Sequence, residues 1–255
     1  MVESRQNESP PPGTAFAAKI EKFDAGFARW KAQNPTGRFS DYATMALNRQ
    51  IERGVDHATL GSRLKSGNDW RTDGLDNFRL ITERIAPGPA AKICDYGCGT
   101  LRVGVHVIER QDRGCYFGMD VSDYLLAEGL RLVGNDLLDE KRPVIGTIDA
   151  TLATAIAAGV DLVFSFNVAS HIHPDEQRDY TGNLLALCHR PGARLLLNVV
   201  THAVPVRFQP SGWAWTLDHY RDWLSPLALV DTFSYGRTDK DGIAIDGHLL
   251  TFERR

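Results

Sequence analysis

The residues best suited to chemistry stand in one run, Lys92-Ile93-Cys94-Asp95-Tyr96-Gly97-Cys98-Gly99-Thr100-Leu101-Arg102, with a second acid, Asp120, 25 positions after Asp95. An apolar stretch that ends on an acid and then carries glycines two positions apart fits a strand stopping at a tight turn before a helix. Glycines let the backbone approach a ligand closely, and a helix opening offers N–H groups to a carboxylate or phosphate. A carboxylate on the neighbouring strand end can accept from both hydroxyls of a ribose. The chemistry is that of holding a nucleoside.

Spacing separates the kinds of nucleoside. A dinucleotide fingerprint, G-x-G-x-x-G, begun at Gly97 needs glycine at 102, where Arg102 would obstruct the close helix packing required there. A phosphate loop begun at Gly99 reaches Gly104, but Val105 and His106 replace the Lys and Ser/Thr that hold phosphate and magnesium. A nucleoside with an amino-acid tail remains.

At this point the sequence resembles the class I S-adenosylmethionine-dependent methyltransferases, whose first motif reads approximately D/E-x-G-x-G-x-G. Asp95-Tyr96-Gly97-Cys98-Gly99-Thr100 matches it, and Leu101 replaces the usual third glycine. The resemblance implies that Asp95, Tyr96, Gly97, Cys98, Gly99 and Arg102 contact the cofactor, with Arg102 pairing with its carboxylate. Tyr116-Phe117-Gly118-Met119-Asp120-Val121-Ser122 is similar to the second motif, which places Asp120 and Val121 at the ribose. Ile148-Asp149-Ala150 matches the end of the third strand, where the family reads the adenine amino group. Phe166-Asn167-Val168-Ala169-Ser170-His171-Ile172 resembles the segment after the fourth strand, with Asn167 implied at the cofactor. Gly247 to Glu253 is similar to the last strand, so the likeness covers about residue 75 onward.

What it implies is S-adenosylmethionine as cofactor and methyl transfer to an oxygen or nitrogen of a small molecule. Two other readings stay open. One is a cofactor-binding partner or regulatory protein without turnover; the other is a nicotinamide-dependent oxidoreductase, which Arg102 opposes.

His171 is the candidate catalytic base, because an imidazole near neutral pKa can take a proton from an attacking hydroxyl or amine. A histidine hydrogen-bonded to shape the loop is the alternative. His171 and His173 with Asp175 and Glu176 also carry metal-ligating groups, but Pro174-Asp175-Glu176 has the composition of a helix start, and no metal is expected. Trp70, Phe208, Trp213 and Trp215 could wall an apolar acceptor pocket, or pack beneath the N-terminal segment.

The elements that must position these residues follow from periodicity. Residues 1 to 13 are polar and proline-rich and predict disorder. Phe16, Ile20, Phe23, Phe27 and Trp30 mark one face of a helix stopped by Pro35 and Gly37, and a second helix is predicted from about 40 to 53. Residues 55 to 74 read as a loop holding Trp70, and Leu75, Phe78, Ile81 and Ile85 as a third helix. These 14–90 residues form a helical cap on a domain spanning 91–255. Strands are predicted at 93–96, 115–119, 143–148, 161–166 and 194–200, with helices at 101–109, from Ser122, at 151–158 and at 174–188. After a long loop over 201–216 and a helix at 217–224, strands at 228–235 and 248–253 form a hairpin across a polar turn. With the family resemblance, the expected fold is a Rossmann-like, doubly wound α/β domain. Its seven-stranded sheet is mostly parallel, with a C-terminal antiparallel hairpin and the N-terminal cap.

The 255 residues are 43% hydrophobic and 24% charged, with a formal net charge of −3, and they carry no basic bias toward phosphate backbones or anionic lipid. Neither nucleic acid nor membrane is the expected partner; a small-molecule acceptor is. No signal-like or membrane-length apolar run is present, so a cytoplasmic location is expected. Cys94, Cys98, Cys115 and Cys188 have neither a secreted nor a zinc spacing and read as reduced thiols. The residues do not choose between monomer and homodimer.

Overall fold

Ile93–Tyr96 forms β1, and all four residues are buried because the strand lies at the middle of the sheet. The computed structural model describes residues 15–53, 67–240 and 242–255. Around β1 run β2 (Tyr116–Asp120), β3 (Val144–Thr147), β4 (Leu162–Ser165), β5 (Arg194–Thr201), β6 (Val206–Gln209), β7 (Gly212–Ala214), β8 (Ala228–Lys240) and β9 (Ile243–Glu253). The main sheet has seven strands in the order β3-β2-β1-β4-β5-β9-β8. Its first five strands are parallel, β9 runs antiparallel beside β5, and β8 pairs antiparallel with β9 as a terminal hairpin, as expected for this fold class. From β1 the chain moves outward through β2 and β3, then returns to β4 on the other side. That reversal opens a crevice beyond the carboxyl ends of β1 and β4, where ligands of open α/β sheets bind.

Helices α1 (Ala15–Gln33), α2 (Phe39–Glu52) and α3 (Gly67–Arg84) precede the sheet, and α4 (Gly104–Arg110), α5 (Asp123–Val133), α6 (Asn135–Lys141), α7 (Ile148–Ala158), α8 (Gln177–Leu187) and α9 (Leu217–Trp223) connect or follow its strands. Ser122 caps α5: its side-chain oxygen accepts from the Leu125 N–H at 3.3 Å. The cap is held by aromatic packing. Phe39 lies between Phe23, Phe27, His173 and Trp213, with ring centroids 4.6 to 5.9 Å away. Arg207, on β6, makes a bidentate pair with Asp24 of α1 at 2.7 and 2.9 Å.

Four expectations change. The predicted disordered tail and most of the loop at 55–74 lie outside the described residues, but 67–74 is helical and belongs to α3. The regular helix after the glycine turn begins at Gly104 rather than 101. The 201–216 loop contains the β6–β7 hairpin, whose Val206, Phe208 and Ala214 build a small core with Ile245. The polar turn at 236–246 is mostly strand: β8 and β9 stay paired as far as Lys240 and Ile243, because cross-strand bonding tolerates polar side chains on an exposed face.

Candidate functional site

The glycine turn leaves β1 and is drawn immediately toward β2. The Gly97 and Cys98 amides both donate to the Met119 carbonyl, at 2.7 and 3.0 Å. Gly97 holds φ +83°, and a Cβ there would strike Val168. Gly99 holds φ +52°, and open space surrounds the place a Cβ would take. Both positions need glycine, the first for closeness to its own fold and the second for a left-handed backbone beside a void.

Asp120 ends β2 as the key of the turn. Its Oδ2 accepts the Gly99 N–H at 2.8 Å and its Oδ1 the Ser122 N–H at 2.9 Å. The side chain is therefore fixed, with lone pairs left over, since two carboxylate oxygens offer about four acceptor directions. Burial raises its pKa, against the pull of the Ser122, Gly99 and Val121 amides. Asp95 is more deeply enclosed. Burial pushes its pKa up to about 8, opposed by the Tyr116 hydroxyl that donates to Oδ2 at 2.9 Å and helped by the negative charge of Asp120.

A cavity of about 990 Å³ opens over the turn at the crevice between β1 and β4. Asp95, Tyr96, Gly97, Cys98, Gly99, Arg102, Asp120, Val121, Asp149 and Asn167 all border it. Ala150 does not. Residues 148 to 150 are the first turn of α7 instead of the end of a strand, so Ala150 points away from the side that Asp149 shares with the cavity. Helix α2 covers the opening with residues such as Ala43, Thr44 and Leu47.

His171 lies on a 3-10 turn after β4 and borders the same cavity. Its Nδ1 is 2.9 Å from the Ser211 carbonyl oxygen. A carbonyl only accepts, so Nδ1 carries the proton and Nε2 of the neutral ring keeps its lone pair. His173 is employed otherwise: its Nδ1 accepts the Asp175 N–H at 3.2 Å and so caps the turn Pro174–Glu176.

The four aromatic residues expected at an acceptor pocket stand apart from this cavity. Trp70 is 2% exposed and turns its indole N–H to Thr100, behind the glycine turn. Phe208 belongs to the small hairpin core, Trp213 packs on Phe39 under the cap, and Trp215 packs against Trp223. These four rings are taken up by cores, and of their sequence neighbours Gln209 and Ser211 reach the cavity, whose apolar rings are Phe23, Phe39, Phe164 and Phe166.

Sequence reading missed Tyr180 and Asn183, which face the cavity from α8. The Asn183 amide donates to the Tyr96 hydroxyl at 2.9 Å, and burial holds that phenol up at about 12. The Tyr180 hydroxyl reaches Ser165 Oγ at 3.0 Å, which in turn donates to the Tyr96 carbonyl at 2.9 Å. Their i,i+3 spacing on one helix face was the available signal. Cys94, Cys98 and Cys188 are buried free thiols whose pKa values burial raises.

No protein-family model and no curated protein sequence matches the chain. Solved structures do. Magnesium protoporphyrin IX methyltransferase from Synechocystis PCC 6803, solved with bound SAH, is similar with TM-score 0.52 and 15% identity, over 93% of this chain and 98% of that one. The cyclopropane synthase MmaA2 from Mycobacterium tuberculosis is similar with TM-score 0.53 and 14% identity, over 71% and 84%. A geranyl diphosphate methyltransferase in complex with GPP and sinefungin is similar with TM-score 0.55 and 13% identity, over 71% and 78%. At such identities a likeness speaks for the backbone and leaves substrates to each protein. Strand order, the terminal antiparallel hairpin and these neighbours together give the chain the Rossmann-like fold of the class I S-adenosylmethionine-dependent methyltransferases.

Proposed function

We propose that this chain binds S-adenosylmethionine and moves its methyl group to an oxygen or nitrogen of a small-molecule acceptor. The observation that carries the reading is Asp120, fixed through both oxygens to the Gly99 and Ser122 amides beside the open face of Gly99. That arrangement fits a ribose: the carboxylate is immobile, has acceptor directions left, and lies where nothing but glycine backbone fills the space. The cavity continues past the turn to His171, Tyr180 and Asn183, which leaves room for an acceptor beside the nucleoside.

When bound, the cofactor supplies an electrophilic methyl on a sulfonium that leaves as a neutral thioether. The residues of this chain then have three tasks. Asp120 and the glycine turn hold and orient the nucleoside. Helix α2 and the aromatic cap exclude water, and alignment in such a pocket supplies much of the rate. His171 receives at Nε2 the proton that the acceptor atom gives up as its lone pair forms the new bond to carbon.

Equilibrium titration with S-adenosylhomocysteine tests the reading, followed by a methyl-transfer assay over small hydroxyl and amine acceptors. Asp120→Ala is expected to weaken binding at least tenfold, as loss of charge-assisted bonds of about 1.5–3 kcal/mol implies. An unchanged dissociation constant in a folded variant refutes the ribose assignment. Binding by the parent chain without turnover on any acceptor favours the regulatory reading.

A further inference from the structure

We propose that Trp70 is a positioning residue for the glycine turn, and that helix α3 sets cofactor affinity through it. The inference rests on the cofactor reading above and extends it to a helix far from the motif in sequence. The Trp70 indole N–H donates to both the carbonyl and the hydroxyl oxygen of Thr100, at 3.1 Å each. Thr100 is 2% exposed and follows Gly99, whose amide is the one bonded to Asp120. A displacement of Thr100 therefore moves the contact that fixes the ribose acceptor.

Two glycines tighten the grip. Gly74, four residues along α3 from Trp70, lies so close that a Cβ there would overlap the Arg102 carbonyl. From α5, a Cβ on Gly129 would stand 2.7 Å from the Thr100 carbonyl carbon. The turn needs this support because of Leu101. Its φ is +62°, a left-handed backbone that side chains disfavour, in the place where the related motif carries glycine. The leucine is wholly buried, in the same apolar cluster as Trp70, Val103 and Tyr116. A strained backbone persists only where its surroundings over-determine it. Trp70 supplies the polar part of that constraint and the cluster supplies the apolar part.

Trp70→Phe keeps an aromatic ring in the core and removes the donor together with part of the indole's volume. Three quantities decide the matter: the dissociation constant for S-adenosylhomocysteine, the midpoint of thermal unfolding, and ligand-free amide exchange at Gly99, Thr100 and Leu101. The expected result is a dissociation constant raised roughly five- to tenfold, the scale of one lost hydrogen bond. Exchange should quicken at the three turn amides while Val163 and Phe164 in β4 keep their rates, a local signature that simple core packing would not give. An unchanged dissociation constant overturns the inference, whatever the exchange. Should Trp70→Phe not fold, replacing Trp70 by 3-benzothienyl-alanine carries the same test, since sulfur takes the place of the indole N–H at nearly constant shape and both bonds to Thr100 are lost. If the parent chain binds no S-adenosylhomocysteine, the cofactor reading falls and exchange alone decides: faster turn amides keep Trp70 as a positioning residue, unchanged ones remove it.

Discussion

Single residues settle two questions that the motif left open. Leu101 stands where a third glycine is expected, and it adopts the glycine-like backbone at φ +62° all the same. The left-handed conformation costs a side-chain-bearing residue about 1–2 kcal/mol, while full burial of a leucine returns about 1.5–3 kcal/mol. The two ranges overlap, so burial offsets most or all of the backbone cost and the departure is tolerated. Asp95 is the other case. Enclosure lifts its pKa from 3.8 to about 8, so between those values the folded chain holds a proton that the unfolded chain has released. Bound protons then favour the fold, and this contribution to stability is lost as pH rises from about 4 to 8. The stability of the parent relative to Asp95→Asn is expected to decline from pH 5 to pH 8 in denaturant titrations, and equal slopes would contradict the burial account. For His171→Ala, turnover at saturating acceptor is expected to fall roughly 100-fold, in the range of general-base contributions. A rate equal to the parent would leave His171 with its hydrogen bond to Ser211 and no part in proton removal.

At the scale of elements, strands were more legible than the contacts between layers. β4 announces itself as a short apolar run because a central parallel strand is buried on both faces, and β5 carries the buried run Leu195 to Leu197. Helix α3 was half hidden. Trp70, Gly74, Phe78, Ile81 and Ile85 do recur at spacings of four, four, three and four, but a glycine in that series reads as a breaker unless its partner is known. Gly74 is there for the close approach to Arg102, a tertiary fact. The edge strand β8 carries a second such lesson. Its pairing with β9 shifts register around Val230 and Tyr235, and these two apolar residues are about half exposed. Bulges of this kind bend an edge and spoil it as a template for another strand.

Across the whole molecule, the cap and the sheet share one aromatic junction. Phe39 is 4% exposed and touches rings from α1, from the loop after β4 and from β7. Phe39→Ala is expected to cost about 3 kcal/mol, as for other buried phenylalanines, and to quicken amide exchange in α1 while β1 keeps its protection. Slower loss of α1 protection than of β1 would mean that the cap is held by something other than this junction. Among the described residues no helix is long and apolar enough to cross a membrane.

The sequence by itself determined the parallel sheet, the terminal hairpin and the acid–glycine–glycine–acid frame, because strands, turns and strand ends are each written locally through period and turn chemistry, and the frame needs only two successive strand ends. It did not determine which aromatic residues meet the cavity. Trp70, Phe208, Trp213 and Trp215 are chemically suited to wall a pocket, but a buried ring contributes the same apolar area wherever a core will take it. Only the packing of α3, the β6–β7 hairpin and the cap decided that these rings serve the cores, and that Tyr180, Asn183 and His171 face the space beside the turn.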